Sequence, residues 1–271
     1  MELVDTHCHI HEASPLSGDN FVHNKWTEAG ISDPQSLVDE AINEGVSRLI
    51  CVGTTFEDSN LAVNFVQQRS NCWASVGIHP HEAKDYTHEP AKLKVFAKLA
   101  TKNKVIAVGE CGLDYFYTHS SKADQRKILE FQLDLAQKHN LPLIFHVREA
   151  FEDFWPILDN FKAVRGVIHS FSAKTLELNQ ILSRELYVGL NGIMTFTKKE
   201  EQLIAAKAIP LDSLLLETDA PFLTPAPQRG TICRPKHVLH VAEFLAGLRG
   251  ETMAEIANQT TQNACNLFGL K

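Results

Sequence analysis

The 271-residue sequence has no apolar run near the length needed to cross a bilayer, and no basic start followed by an apolar segment. A membrane-spanning helix needs about 20 consecutive apolar residues, and a secretory signal has both of the missing parts. We therefore expect a protein that does not act in a membrane, and we expect the cytoplasm as its location.

The sequence has neither a cysteine motif nor an excess of positive charge. The six cysteines are scattered without C-x-x-C spacing, which is typical of reduced thiols that fill a core and argues against a disulfide framework. The net charge of −7 argues against a protein that coats long duplexes through a broad basic surface. It does not exclude a nucleic-acid substrate, because a pocket that holds two divalent cations is locally positive whatever the overall charge.

The sequence also lacks a glycine-rich phosphate loop after its first apolar run, which argues against a dinucleotide-binding open sheet. What it has is an alternation of short apolar runs with amphipathic segments. The runs are Glu2–Thr6, Val46–Gly53, Trp73–Ile78, Val105–Glu110, Leu141–His146, Gly166–Ser170, Leu186–Asn191 and Ser213–Thr218. Their near-continuous hydrophobicity is typical of parallel strands buried on both faces. The alternation predicts an α/β fold, a single-domain TIM-type (β/α)8 barrel over residues 1–271, with a doubly wound open sheet as the competing arrangement.

Capping signals place several helices between these runs. Asp33-Pro34 predicts a helix start with proline at the first helical position. Thr55 to Asp58 and Thr197 to Glu200 resemble capping boxes, and the second is the better match. Asn140 predicts the end of a longer helix.

Residues able to hold metal collect at the C-terminal tips of the predicted strands. His7 and His9 are two apart, so in a strand they project from the same face. Further tips carry Glu110, His146, His169 and Asp219. Barrel active sites are built at this end from several strands, and four imidazoles with two carboxylates suit a pair of divalent ions.

Each of these residues also has an ordinary structural interpretation. With 13 histidines, a pair at i and i+2 arises readily by chance, and His146 or His169 taken alone is more often a satisfied core histidine. Glu110 is compatible with a buried ion pair and Asp219 with a turn. Six such coincidences at the same end of alternating strands are improbable together, so we expect a metal site.

Five segments at or near the predicted strand ends form a characteristic set, Asp5–His9, Gly77–His81, Gly109–Tyr115, His169–Ser172 and Glu217–Pro221. Together they resemble the TatD family of metal-dependent deoxyribonucleases, which belongs to the amidohydrolase-type barrels. The resemblance implies a TIM-type barrel, two divalent ions and hydrolysis of DNA phosphodiester bonds, often from the 3′ end. It also implies that His7, His9, Glu110 and Asp219 hold one metal, and that Glu110, His146 and His169 hold the other.

The expected roles of the remaining residues follow from their positions. Asp219 is expected to orient the attacking water and accept its proton, with Glu110 as the other catalytic carboxylate. Glu217 shares the parity of Asp219 and is expected to support the ligands without binding metal. The residues expected to contact substrate are His79, His81, Arg148 and Arg234, although each also fits a turn, a salt bridge or a solvated loop.

Two features leave specificity open. Many family members have Asn-Glu-Pro where this chain has Cys233-Arg234-Pro235. Arg234, a basic residue, therefore stands where those members have an acidic glutamate. Mixed nitrogen and oxygen donors suit zinc, manganese, nickel and, less well, magnesium.

The leading hypothesis is a 3′–5′ exodeoxyribonuclease acting on single-stranded DNA or on 3′ ends, with no membrane partner. Its oligomeric state is open, and a monomer is compatible with the sequence. The alternative is an amide or ester hydrolase on the same site, such as an aminoacyl-tRNA deacylase, because metal-activated water attacks carbonyl carbon as well as phosphorus. A barrel that keeps metal only for stability is a third class, and the six-residue set argues against it because structural zinc sites are closed by four ligands.

Overall fold

The computed structural model describes residues 2–270, which form eight parallel β-strands and ten α-helices joined by loops and short 3-10 helices. The strands are β1 (Leu3–Cys8), β2 (Val46–Val52), β3 (Cys72–Val76), β4 (Val105–Asp114), β5 (Leu143–Arg148), β6 (Gly166–Ile168), β7 (Tyr187–Leu190) and β8 (Leu214–Leu216). The helices are α1 (Phe21–Glu28), α2 (Pro34–Asn43), α3 (Phe56–Val66), α4 (Pro90–Phe96), α5 (Lys122–His139), α6 (Phe151–Leu158), α7 (Thr175–Leu182), α8 (Glu200–Ala208), α9 (Val238–Arg249) and α10 (Met253–Phe268). All eight strands belong to one sheet, in which their order is the order of the chain. None of the helices in residues 2–270 combines the length and the hydrophobicity that a membrane span requires.

Each predicted strand is present, and the clearest difference is the length of β4. We predicted its end at Glu110, but the strand continues to Asp114. Gly112 permits this extension, because a Cβ at that position would lie 1.9 Å from the carbonyl oxygen of His146 on β5. The register between the two strands shifts between Val108 and Cys111. Residues 111–114 therefore belong to β4, and Asp114 lies at its C-terminal end.

The capping predictions are confirmed at three helices and wrong at one. Asp33 accepts a hydrogen bond from the backbone N–H of Gln35 and opens α2, and Thr55 caps α3 in the same way. Asn140 ends α5 in a left-handed conformation. The helix predicted from Thr197 begins instead at Glu200, because the Thr197 hydroxyl bonds to the side chain of Gln202 and accepts from the backbone of Lys199.

Contacts within the chain divide it into two compact units. The first unit consists of residues 1–51 and 170–271, and the second of residues 52–169. In the first unit the last strand meets the first. The hydroxyl of Thr6 donates to the carbonyl oxygen of Leu216 at 2.9 Å, and His9 N–H donates to the carbonyl of Ala220 at 2.8 Å. α10 packs against both β1 and β8. The two ends of the strand order are therefore joined, so neither terminal strand presents a free edge there.

The second unit is built on β3, β4 and β5, with α3 against β3 and α5 against β4. Phe145 of β5 and Phe154 of α6 are fully buried and meet edge to face, with ring centroids 5.1 Å apart. Such aromatic packing gives the strands a rigid support. The polar C-terminal ends of these strands are thus carried on a close-packed core.

Candidate metal centre

Three candidate ligands of the first unit form what we call the first cluster, made of His7, His9 and Asp219. The Nε2 atoms of His7 and His9 lie 3.3 Å apart. Asp219 Oδ1 lies 3.7 Å from His7 Nε2 and 3.4 Å from His9 Nε2. Both imidazoles are almost completely buried, so their ring nitrogens are held in place by packing.

The backbone around the first cluster is held by the buried carboxyl group of Asp5. Its Oδ1 accepts from Thr218 N–H at 2.9 Å and from His7 N–H at 3.3 Å, and its Oδ2 accepts from the Thr218 hydroxyl at 2.6 Å. Burial raises the pKa of Asp5 to about 8. Asp219 then turns back in a left-handed conformation (φ 63°), and its N–H donates to the carbonyl of His7 at 2.8 Å. The chain after β8 is therefore tied to the chain after β1 at the cluster itself.

Glu217 lies in the same unit and is also buried. Its Oε1 accepts from the backbone N–H of Ser170 at 2.7 Å and from the side chain of Asn191 at 3.2 Å. A Cβ at Gly189 would lie 2.4 Å from Glu217 Oε2, so glycine there makes room for the carboxylate. Glu217 thus orients the backbone directly after His169, and its support of the ligands stays a prediction.

Four side chains of the second unit form the second cluster, made of Glu110, His146, His79 and His169. Glu110 is its centre: Oε1 lies 2.8 Å from His146 Nδ1, 3.6 Å from His79 Nε2 and 3.8 Å from His169 Nε2. His79, Glu110 and His146 also meet the geometric requirement of a metal-binding group, with one ligand atom each, all within 4.8 Å of one another. His79, which we expected to contact substrate, thus lies among the candidate ligands.

Asp114 supports the second cluster from the end of β4. Its Oδ2 lies 3.0 Å from His146 Nε2 and 3.0 Å from His81 Nε2. Burial opposes ionisation of Asp114, but hydrogen bonds from these two histidines outweigh it and hold the pKa of the carboxyl well below its ordinary value. His146 therefore has a carboxylate at each ring nitrogen. Burial lowers the pKa of His146, but the hydrogen bonds to Asp114 and Glu110 outweigh burial and raise that pKa to about 9.

Two buried glutamines of α5 clamp the strand ends that carry the second cluster. The amide of Gln132 accepts from Ile78 N–H at 2.7 Å and donates to Ile78 C=O at 2.9 Å, one residue before His79. Gln125 makes the same pair of bonds to the backbone of Asp114, at 2.8 and 2.9 Å. Paired amide bonds of this kind satisfy backbone groups that no neighbouring strand satisfies. These bonds also set the position of the side chains of His79 and Asp114.

The donor geometry of both clusters fits divalent ions. Two ligand atoms that lie about 2.1 Å from a tetrahedral ion are about 3.4 Å apart, and the contacts of His9 in the first cluster are 3.3 and 3.4 Å. In the second cluster His146 offers Nδ1 beside Glu110 while Nε2 faces Asp114. A ligating histidine typically donates its other N–H to a carboxylate in this manner. Burial also holds the pKa of His79 well below its ordinary value, which keeps its ring neutral.

The expected substrate contacts have different surroundings. His81 bonds to Asp114, as described. Arg148 is exposed, and its guanidinium lies over the ring of Phe116 at 4.1 Å. Arg234 instead makes a bidentate pair with Glu40, at 2.6 and 2.9 Å. Its contact with substrate stays a prediction, and such a contact has to compete with Glu40.

Sequence reasoning missed Asp114 and the two glutamine clamps. Asp114 is at i+4 from Glu110, so strand parity places both on one face, and the signal was lost because the strand was predicted to end too early. The same parity places Cys8 and Cys111 on the face opposite their neighbouring ligands, where they pack. Both are fully buried, and their thiols contact backbone carbonyls at 3.4 and 3.6 Å.

Comparison with known proteins identifies relatives over the whole chain. The family model described as TatD related DNase matches residues 4–269. YabD of Bacillus subtilis, described as an uncharacterized metal-dependent hydrolase, is 35% identical over 98% of this chain and 98% of its own length. A protein of Erwinia amylovora described as the 3′-5′ ssDNA/RNA exonuclease TatD is 36% identical over 88% of this chain and 94% of its own.

Solved structures match the fold along the full chain. YJJV, a TatD homologue of Escherichia coli, has a TM-score of 0.85 and 27% identity, and covers 99% of this chain and 98% of its own. The predicted TIM-type barrel is therefore confirmed, and the fold is a single-domain barrel. The extent of that domain, residues 1–271, stays a prediction.

Proposed function

Because this chain belongs to the TatD family of metal-dependent hydrolases, we propose that it is a nuclease that removes nucleotides from the 3′ ends of single-stranded DNA. Relatives described as 3′-5′ ssDNA/RNA exonucleases support this substrate class at 32 and 36% identity. We also propose the cytoplasm as its location, and a monomer is compatible with the proposal.

The proposed centre holds two divalent ions. In a TIM-type barrel the C-terminal ends of all strands meet at one face, and both clusters follow such ends. We propose that the first cluster holds one ion and that Glu110 with His146 and His169 holds the other, with Glu110 shared between them. Zinc, manganese and magnesium are the candidate ions, because the donors are mixed nitrogen and oxygen atoms.

When bound, the ions supply Lewis acidity and lower the pKa of an attacking water. Side chains of the protein orient the water, accept its proton and donate hydrogen bonds to the substrate. Asp219 orients the water and accepts its proton, and its side chain is partly accessible, at 16% of its surface. His79 and His81 face the phosphate and the leaving sugar oxygen as hydrogen-bond donors. Asp114 holds His81 and His146 in position, and Glu217 holds the backbone at Ser170.

The observation that carries the proposal is the convergence of imidazole nitrogens on a carboxylate in each cluster. Asp219 has two imidazole nitrogens within 3.7 Å, and Glu110 has three within 3.8 Å. Imidazole nitrogens that converge on a carboxylate are a donor set that divalent ions take in proteins. A metal-dependent hydrolase requires such an arrangement.

The test uses the full chain, stripped with chelator and reloaded with zinc, manganese or magnesium in turn. Substrates are 3′- and 5′-labelled single-stranded DNA, the matching duplex, single-stranded RNA and aminoacyl-tRNA. We expect chelator-sensitive release of the 3′ label first. Glu110→Gln and Asp219→Asn should each lower the rate by more than the roughly 100-fold that loss of an outer-sphere carboxylate costs.

Asp212→Asn is the matched control, because this exposed carboxylate lies in a short 3-10 helix outside both clusters. It should leave the rate unchanged. Deacylation of aminoacyl-tRNA with intact DNA would replace our proposal with the ester-hydrolase alternative. Metal binding without turnover of any substrate would indicate a non-catalytic barrel.

A further inference from the structure

The loop after β4 presents two aromatic side chains to solvent beside the second cluster. Phe116 and Tyr117 keep 49 and 43% of their surface exposed, and their rings meet edge to face at 4.7 Å. Burying one such side chain is worth about 2 kcal/mol, so two adjacent exposed rings on one short loop need an explanation. Exposed aromatic side chains are a common means of stacking unpaired bases.

The guanidinium of Arg148 lies on this aromatic pair. Its Cζ is 4.1 Å from the centre of the Phe116 ring and 4.9 Å from that of Tyr117. Within residues 2–270 it makes no ion pair with a carboxylate, whereas Arg234 is paired with Glu40 and Arg126 with Asp153. A guanidinium stacked on a ring keeps its N–H edge available for phosphate and offers a planar face to a base.

Asp114 ties this loop to the histidines. Its Oδ1 accepts from the N–H of Phe116 at 3.0 Å and of Tyr117 at 2.9 Å, while its Oδ2 bonds to His81 and His146. The Tyr117 ring lies 5.5 Å from that of His81, and His81 lies 6.3 Å from His146. The aromatic pair is thus linked to His146, a candidate metal ligand, through the ring of His81, and Asp114 bonds to both the loop and the histidines.

We propose that Phe116, Tyr117 and Arg148 form a stacking subsite for an unpaired nucleobase next to the phosphate that the second cluster receives. The proposal rests on the proposed nuclease function and adds to it the reason for preferring single strands. A base within a duplex has both faces stacked and its pairing edge occupied, so it cannot lie on this surface. Arg148 supplies the charge that a nucleotide's phosphate complements.

The test measures binding separately from cleavage. The probe is a short single-stranded DNA with 2-aminopurine at its 3′ end, whose fluorescence falls when the base stacks, added to full-length protein kept in chelator. The wild-type protein should quench the probe. The double variant Phe116→Leu/Tyr117→Leu, which keeps apolar bulk without aromatic faces, should weaken binding about tenfold, the effect of one lost stacked base. Arg148→Lys should lose quenching while the salt dependence of binding is kept, because only the planar face is removed.

Trp73→Leu is the matched control. Trp73 also has a basic side chain over its ring, with Lys104 Nζ 5.5 Å from the ring centre, but it lies at the start of β3, far along the strand from His79. It should bind and quench as the wild type does. The melting temperature of each variant is measured to identify one that has lost its fold.

The outcomes separate this inference from the function on which it rests. Unchanged quenching and affinity in the folded double variant, with DNA cleavage by the wild type, would overturn the subsite and leave the nuclease standing. Quenching that depends on the aromatic pair, in a protein that cleaves no nucleic acid, would support the subsite and overturn the nuclease. An oligonucleotide with an abasic 3′ end should bind as weakly to wild type as the normal probe does to the double variant.

Discussion

The first and second clusters contain the same types of ligand but are held in different ways. In the first, the histidines come from one strand end, and Asp5 fixes the backbone while the imidazoles pack in the core. In the second, the side chains themselves are bonded: Glu110 and Asp114 take opposite nitrogens of His146. A ligand can therefore be positioned through its backbone or through its side chain. The second route ties the protonation of His146 to its geometry, because its two carboxylate partners raise its pKa.

The largest effect should be the loss of bound metal when a ligand of one cluster is substituted. Asp219→Asn should remove the ion of the first cluster alone, His146→Gln that of the second alone, and Glu110→Gln should weaken both, because we propose that it is shared. The measurement is elemental analysis of each variant after gel filtration in metal-free buffer. Full metal content in Glu110→Gln would show that the clusters do not share this carboxylate.

Asp114→Asn tests whether side-chain bonding matters in the second cluster. The amide cannot act as an anionic acceptor for His146, so we expect metal affinity at that cluster to fall about 10- to 100-fold. Competition with a fluorescent chelator measures this change. The ion of the first cluster should be retained, and equal weakening of both ions would contradict our comparison. Asp212→Asn is again the control.

One part of the pH dependence of stability should come from the second cluster in metal-free protein. An unfolded histidine has a pKa near 6.5, and that of His146 is raised to about 9. Its contribution is therefore fully present below about pH 6.5 and is lost as the pH rises through 9, a difference of about 3 kcal/mol. Urea unfolding at several pH values measures it.

Asp5 adds a slope of its own. Because its pKa is raised to about 8, the free energy of unfolding falls as the pH rises from about 4, where the unfolded carboxyl ionises, to about 8. The informative quantity is therefore the part of the pH slope that is lost in His146→Gln. His88→Gln, a change at an exposed histidine, should keep the wild-type slope. An identical slope in His146→Gln and wild type would refute the assignment.

The smallest effect should come from Arg234 of the first unit. Arg234 is engaged by Glu40, and Lys236 contacts the same carboxylate at 3.2 Å, so Arg234→Ala should raise KM for DNA by less than about threefold and cost about 1 kcal/mol of stability. Steady-state kinetics at two salt concentrations measures the first. A KM increase equal to that of Arg148→Ala would establish Arg234 as a full phosphate contact.

Strand periodicity was sufficient to find the parts of the fold and site that depend on local pattern. The eight apolar runs predicted eight strands, and the parity of His7 and His9 placed both on one face. It was insufficient where two strands interact. β4 continues past Glu110 because Gly112 allows the close approach of β5, a contact between residues far apart in sequence, and Asp114 was missed for that reason. Gln125 and Gln132 were missed because hydrophobic periodicity assigns apolar residues to buried helix positions.

The sequence by itself determined the order of strands and the residue types at their C-terminal ends, since both follow from short repeats that the backbone imposes on every strand. Only the tertiary structure decided which carboxylate faces which nitrogen of His146, and that Asp114 joins the histidines to an aromatic loop. Those pairings depend on register and rotamer across neighbouring strands, where a shift of one residue reverses the face on which a side chain lies.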